Sequence, residues 1–134
     1  MMELTINGTV YQFNFGMGFL RELRKTETAR QNGMNLSLEI GDTMTIGRVL
    51  NNDVIALEDV LDMANKGQNP RLSRRELEEY LENNERCNIR EVMEMVKDFL
   101  RKNNATTMLC ESIEEQEKKA KEQGKNTKGQ KEEK

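Results

Sequence analysis

The side chains best suited to chemistry in this chain are acidic, and they stand in adjacent pairs. Glu78-Glu79 and Glu114-Glu115 have the composition of an acid/base couple or a cation site. Neighbouring residues of a helix do not face one another, however, so pairs of this kind on a polar helix face read as solvated surface. A phosphate-binding corner is the second candidate, because Gly16-Met17-Gly18-Phe19-Leu20-Arg21 follows a strand pattern and opens a helix pattern, as a dinucleotide loop does. Arg21 stands where the third glycine belongs, and the preceding strand belongs to a hairpin instead of a βαβ unit, so a plain strand-to-helix corner is the better reading. The third is LSRRELEEYL, which resembles half of a helix-turn-helix with Arg71, Arg74 and Arg75 near phosphates. Glu76, Glu78 and Glu79 on the same helix oppose that use.

Other equipment is missing. The chain has no His, which removes the commonest general base and metal ligand, and it carries no GxSxG, GKS/T or HExxH sequence. Cys87 and Cys110 stand alone without a CxxC spacing, so neither a zinc site nor a disulfide framework is suggested and two reduced thiols are expected. The expectation is a protein with no catalytic residue, no cofactor and no metal. The nine Met residues are mostly core filling, with some available to an adaptable binding surface.

The 134 residues fit one domain. Residues 111–134 hold seven Glu and seven Lys but only Ile113 and Ala120 as apolar residues, too little to offset the entropy of ordering them. They read as a flexible charged tail on a domain spanning 1–110, and they leave the whole net charge of -3 on that domain as 17 acidic against 14 basic side chains. A body of that sign repels phosphate, so no nucleic-acid partner is expected. No apolar stretch approaches the length of a membrane span and the amino terminus carries no leader pattern, so no membrane association and a cytoplasmic location are expected.

Residues 2–15 alternate on either side of Asn7-Gly8, the pair that tolerates both positive φ angles of a type I′ turn. That turn sets Ile6 opposite Thr9, Leu4 opposite Tyr11 and Met2 opposite Phe13, with Phe15 on the same apolar side. A lone hairpin is marginal in water, so helices must cover that side. Phe19, Leu20 and Leu23 start the first helix; residues 26–35 read as loop; and Leu36–Leu50 mixes strand-like alternation (Leu36, Leu38, Ile40) with helical spacing (Met44, Gly47, Leu50), read here as helix. Asp53 caps a helix to about Lys66 with a stripe of Val54, Leu57, Val60, Leu61 and Ala64, closed by Gly67. Ser73 with Glu76, and Asn88 with Glu91, form capping boxes, and Leu72-Leu77 and Cys87-Val92 are matching hydrophobic staples. Ile89, Val92, Met93, Val96, Phe99 and Leu100 line the core side of the last body helix. After Asn103-Asn104, the pairs Glu114-Lys118, Glu115-Lys119 and Glu117-Lys121 favour an exposed frayed helix, with disorder beyond Gly124. The expected fold is mainly α: an N-terminal β-hairpin on a bundle of about four to five helices.

In order and spacing, ELTINGTVYQFNFGMGFLREL, DVIALEDVLDMAN, LSRRELEEYLENN and NIREVMEMVKDFLRKN resemble the tail assembly chaperones of long-tailed bacteriophages and prophages infecting Gram-positive bacteria. The resemblance covers about residues 3 to 103; the segment from Leu36 to Thr45 departs from the commoner pattern. It implies a non-enzymatic protein that binds and solubilises the tape-measure protein and helps load tail-tube subunits, with the major tail protein and a second copy of itself as further partners. It also implies a host-cytoplasmic protein absent from the mature virion, and in many members a longer frameshifted product, with which the Lys-rich end GKNTKGQKEEK is compatible. The family supplies no residue-level binding motif. Side chains at stripe edges, Ile55, Met63 and Met95, are the candidates for partner contact. Two alternatives remain: a small DNA-associated regulator using the Ser73 helix, and a structural subunit of the tail.

Overall fold

Asn7 and Gly8 both adopt left-handed backbone conformations, with φ of 51° and 79°, and reverse the chain between β1 (Met2–Ile6) and β2 (Thr9–Phe13). The turn fixes the register as expected: Met2 pairs with Phe13, Leu4 with Tyr11 and Ile6 with Thr9. Met2, Leu4, Ile6, Tyr11, Phe13 and Phe15 are all buried, while Glu3, Thr5, Val10 and Gln12 face outward. The computed structural model describes residues 1–30, 33 and 37–132, with side chains through Gln123. Among the described residues there are six helices and two two-stranded sheets, one helix more than the upper expectation.

Helix α1 (Met17–Arg24) turns back from the hairpin and buries Phe19 and Leu23. The Phe19 ring meets Phe15 edge-on, with centroids 5.3 Å apart. The next segment departs from expectation. A second antiparallel ribbon, β3 (Thr28–Arg30) and β4 (Ser37–Glu39), occupies part of the expected loop, and the helix expected from Leu36 begins only at Gly41, as α2 (Gly41–Leu50). Leu36 itself lies outside the described residues. The alternation of Leu38 and Ile40 was therefore the strand signal, and the spacing from Met44 onward the helical one. Local chemistry fixes this boundary. The Ile40 N–H donates to the Glu27 carbonyl at 2.8 Å, and Arg48 reaches back to the Glu27 carboxylate at 2.5 Å. Gly41 packs so closely on the end of α1 that a Cβ there would overlap the Leu23 carbonyl and the Thr26 hydroxyl. The neighbouring Asp42 is buried, and the guanidinium of the exposed Arg24 approaches it to 3.0 Å.

Helices α3 (Val54–Asn65), α4 (Arg74–Glu82) and α5 (Ile89–Lys102) begin where their caps require. The Asp53 carboxylate accepts from the Ile55 and Ala56 N–H groups at 2.9 and 3.1 Å, the Ser73 hydroxyl from Glu76 N–H at 3.1 Å, and the Asn88 side chain from Glu91 N–H at 3.4 Å. Gly67 takes the left-handed conformation past α3 with φ of 82°. The staple residues Leu72, Leu77, Cys87 and Val92 are buried. Glu76 does not close its capping box; its carboxylate accepts from the Tyr11 hydroxyl at 3.3 Å, tying α4 to the hairpin. The buried face of α3 is rotated from the expected stripe, since Ala56 is buried and Val54 is exposed. On α5 the expected Val92, Met93, Val96 and Leu100 are buried, and so is Lys97, whose ammonium donates to Asn52 Oδ1 at 2.5 Å.

Helix α6 (Thr107–Glu132) runs through the boundary drawn at residue 110. Its first turns pack against α2 and α5, burying Cys110 and Ile113. The carboxylates expected to pair within the helix are redirected: Glu114 receives Arg101 at 3.0 Å and Glu117 receives Asn51 Nδ2 at 2.5 Å, while Glu115 keeps Lys119 at 3.7 Å. A count of apolar residues missed this docking because one well-placed Ile is enough to anchor a turn whose other contacts are polar. The disorder expected beyond Gly124 falls on residues whose side chains lie outside the described set.

Two stability predictions follow from this packing. Gly41→Ala should cost about 1–3 kcal/mol by overpacking, whereas Gly18→Ala, inside α1 with open space around it, should gain up to about 1 kcal/mol of helix propensity. Equal denaturation midpoints for the two variants would contradict the close approach at Gly41. Ile113→Ala should cost about 2–5 kcal/mol, and truncation after Cys110 at least as much. A truncated chain that melts with the full one would show that α6 is dispensable to the core.

Candidate functional site

The acidic pairs do not form a site. Glu79 is paired with Arg75 at 3.2 Å and Glu114 with Arg101, and no cluster of three or more metal-ligating side chains occurs among the described residues. The Gly16-Met17-Gly18 corner gives its first N–H to the Asn14 side chain at 3.0 Å. The three arginines of the helix-turn-helix reading meet carboxylates: Arg71 meets Asp62 at 2.8 Å, Arg74 meets Asp59 and Asp62, and Arg75 meets Glu79. Burial pushes the Cys110 thiol up to about 11, so it is protonated and unreactive at neutral pH. No described helix is long and apolar enough to cross a membrane.

What the fold leaves open is an apolar groove where α3, α4 and α5 converge. It consists of two adjoining depressions, of about 520 and about 300 Å³, that share Val54 and Ile89. The Asp53 cap places Val54 and Ile55 in the first turn of α3, where they are 53% and 71% exposed. The Asn88 cap places Ile89 at the head of α5, with Met93 one turn along. Leu81 completes the floor from α4. Isolated exposed apolar residues need no explanation, but a contiguous set lining a concavity marks a contact surface.

The rim of this groove is acidic. Glu58, Glu78 and Glu82 border the depression between α3 and α4, and Glu94 and Arg90, one turn apart on α5, line the other. Glu58 is the unusual member, with its side chain only 13% exposed. Its Oε2 lies 3.6 Å from Arg74, and its Oε1 is buried without a hydrogen-bond partner. Burial pushes its carboxyl above the ordinary carboxylate range, with Arg74 opposing and Glu78, Asp59 and Asp62 reinforcing.

The three side chains singled out from the sequence are not brought together. Ile55 lines the groove; Met63, at the other end of α3, borders the Gly16-Met17-Gly18 corner; and Met95, 38% exposed on α5, lines neither place. Val54, Leu81, Ile89 and Met93 were missed as site residues because each sits on, or next to, a stripe that reads as core. The available signal was the position of Val54 and Ile89 in first turns, where a helix starts before it reaches the core.

A carboxyl whose folded-state pKa is raised binds its proton more tightly when folded. Its ionisation therefore costs stability at neutral pH, and the chain gains stability as pH falls through the raised value towards the unfolded one near ~4.3. Glu58→Gln should melt at or above the parent at pH 7, with the difference vanishing near about pH 4. A variant that melts lower at pH 7 would mean that the Arg74 contact outweighs burial.

Compared with known protein families, residues 3–115 match the model described as phage tail assembly chaperone protein, TAC. No curated protein and no solved structure matches the chain. The matched range takes in the hairpin, the groove and the docked start of α6, and it covers most of the chain, so this protein belongs to the phage tail assembly chaperone family.

Proposed function

We propose that this chain acts by holding the tape-measure protein of its phage soluble while the tail is built, as a binding protein without catalysis. The observation that carries this reading is the α3–α4–α5 groove, an exposed apolar concavity on the family-matched body. The family resemblance implies tape-measure segments that are long and amphipathic, and such segments need an apolar trough in which to lay their stripe, the helix-in-groove mode. Ile55 is the contact residue this reading favours; Met63 and Met95 extend it to other faces, on which the major tail protein or a second copy of the chain would sit. The protein acts in the host cytoplasm and leaves before the virion is complete.

Co-expression tests the proposal. Tape-measure fragments should move from pellet to supernatant with the parent chain. Ile55→Glu, at an exposed position that leaves the core intact, should weaken their binding roughly tenfold or more through the lost apolar contact. Fragments that stay insoluble at every ratio with folded protein, in particular if that protein shifts duplex DNA, would replace this reading with the regulator alternative.

A further inference from the structure

We propose that the groove selects amphipathic helices whose apolar stripe is flanked by Lys or Arg, the cations seating against Glu78 and Glu82. This deepens the reading above and rests on it. The floor of Val54, Ile55, Leu81 and Ile89 supplies an apolar trough, while the rim supplies charge of one sign. Among the described residues, the only basic one lining either depression is Arg90, which shares its end with Glu94, so the α3–α4 end carries three carboxylates and no cation in its described lining. Arg74, the nearest counter-charge to Glu58, also serves Asp59 and Asp62. Glu58 Oε1 is buried and stays out of a ligand's reach, whereas the exposed Glu78 and Glu82 stand beside the apolar floor, where a ligand ammonium or guanidinium supplies a donor and a counter-charge together. A helix flanked by Glu would place like charges against this rim, which costs affinity.

The tail of this chain, or of a second copy, does not fit the description. It carries the Lys residues, but its two apolar residues are Ile113, already buried against the core, and Ala120. The occupant is therefore another protein's amphipathic helix.

The probes are three synthetic peptides of about five helical turns, roughly 18 residues, with one Leu stripe and with flanks of Lys, Gln or Glu. Binding to the full chain is read by fluorescence anisotropy. The Lys peptide should bind tightest and the Glu peptide weakest, with roughly tenfold between the extremes, a gap that narrows as salt rises. Glu78→Lys with Glu82→Lys, both exposed, should reverse the order; the milder Glu78→Gln with Glu82→Gln should compress it if the reversed chain does not fold. Ile55→Glu should weaken all three. Equal affinities, or an order unchanged by either pair of substitutions, overturn the charge selection while leaving the chaperone reading intact. No binding of any peptide by protein that still solubilises tape-measure fragments overturns the groove as the site. Loss of both activities in the folded parent chain overturns both proposals.

Discussion

The buried carboxamide of Asn65 is the joint on which the arrangement depends. Its Nδ2 donates to the Gln12 carbonyl on β2 at 2.9 Å, and its Oδ1 accepts from the Leu72 N–H at 2.7 Å and from Arg71 at 2.8 Å. One side chain thereby fastens the hairpin, the end of α3 and the entry to α4. The adjacent Asn14 N–H, bonded to the Ala64 carbonyl at 2.8 Å, makes the hairpin and α3 a single unit. A hairpin of this length is marginal alone, and each buried polar group left without its partner would cost about 1–3 kcal/mol. The apolar contacts of Phe13, Tyr11 and Leu61 drive the docking, and these directional bonds decide where it stops.

With its C-terminal end held this way, α3 buries Leu57, Val60 and Leu61 beneath the hairpin side and carries its first turn beyond the cover. Val54 and Ile55 are left on the outside as a consequence of where the helix is anchored. On the opposite wall, Arg74 grips Glu58, Asp59 and Asp62 of α3 while Leu72 and Leu77 pack inside. Exposed ion pairs contribute little individually, but three carboxylates on one guanidinium set the spacing of α3 and α4 that keeps the groove open. The same crowding leaves Glu58 Oε1 buried without a hydrogen-bond partner.

Much of this was legible in the sequence where a local rule fixes geometry. Asn7-Gly8 dictated the hairpin register, and Asp53, Ser73 and Asn88 dictated three helix starts, because a turn or cap is decided within a few residues. The ribbon was legible only in the alternation around β4, which competed with the helical spacing beyond it; β3 is short and carries no apolar periodicity, and the limit on α2 comes from the close approach of Gly41 to the end of α1. Lys97 reads as polar face and is buried because Asn52, in a left-handed conformation, and the Glu94 carboxylate both meet its ammonium. The groove was legible in one residue, Ile55. Periodicity reports which side of a helix is apolar but not how far along the helix the cover extends, so Val54 and Ile89 read as core.

Methyl NMR of the full chain, titrated with a soluble tape-measure fragment, tests most directly whether the first turns of α3 and α5 and the last turn of α4 contact a helical client. The methyl signals of Val54, Ile55, Leu81 and Ile89 should shift or broaden together, while those of Ile6 and Ile46 in the core stay in place. Perturbation confined to the α2–α6 face or the hairpin, with these four signals unchanged at saturation, would contradict it.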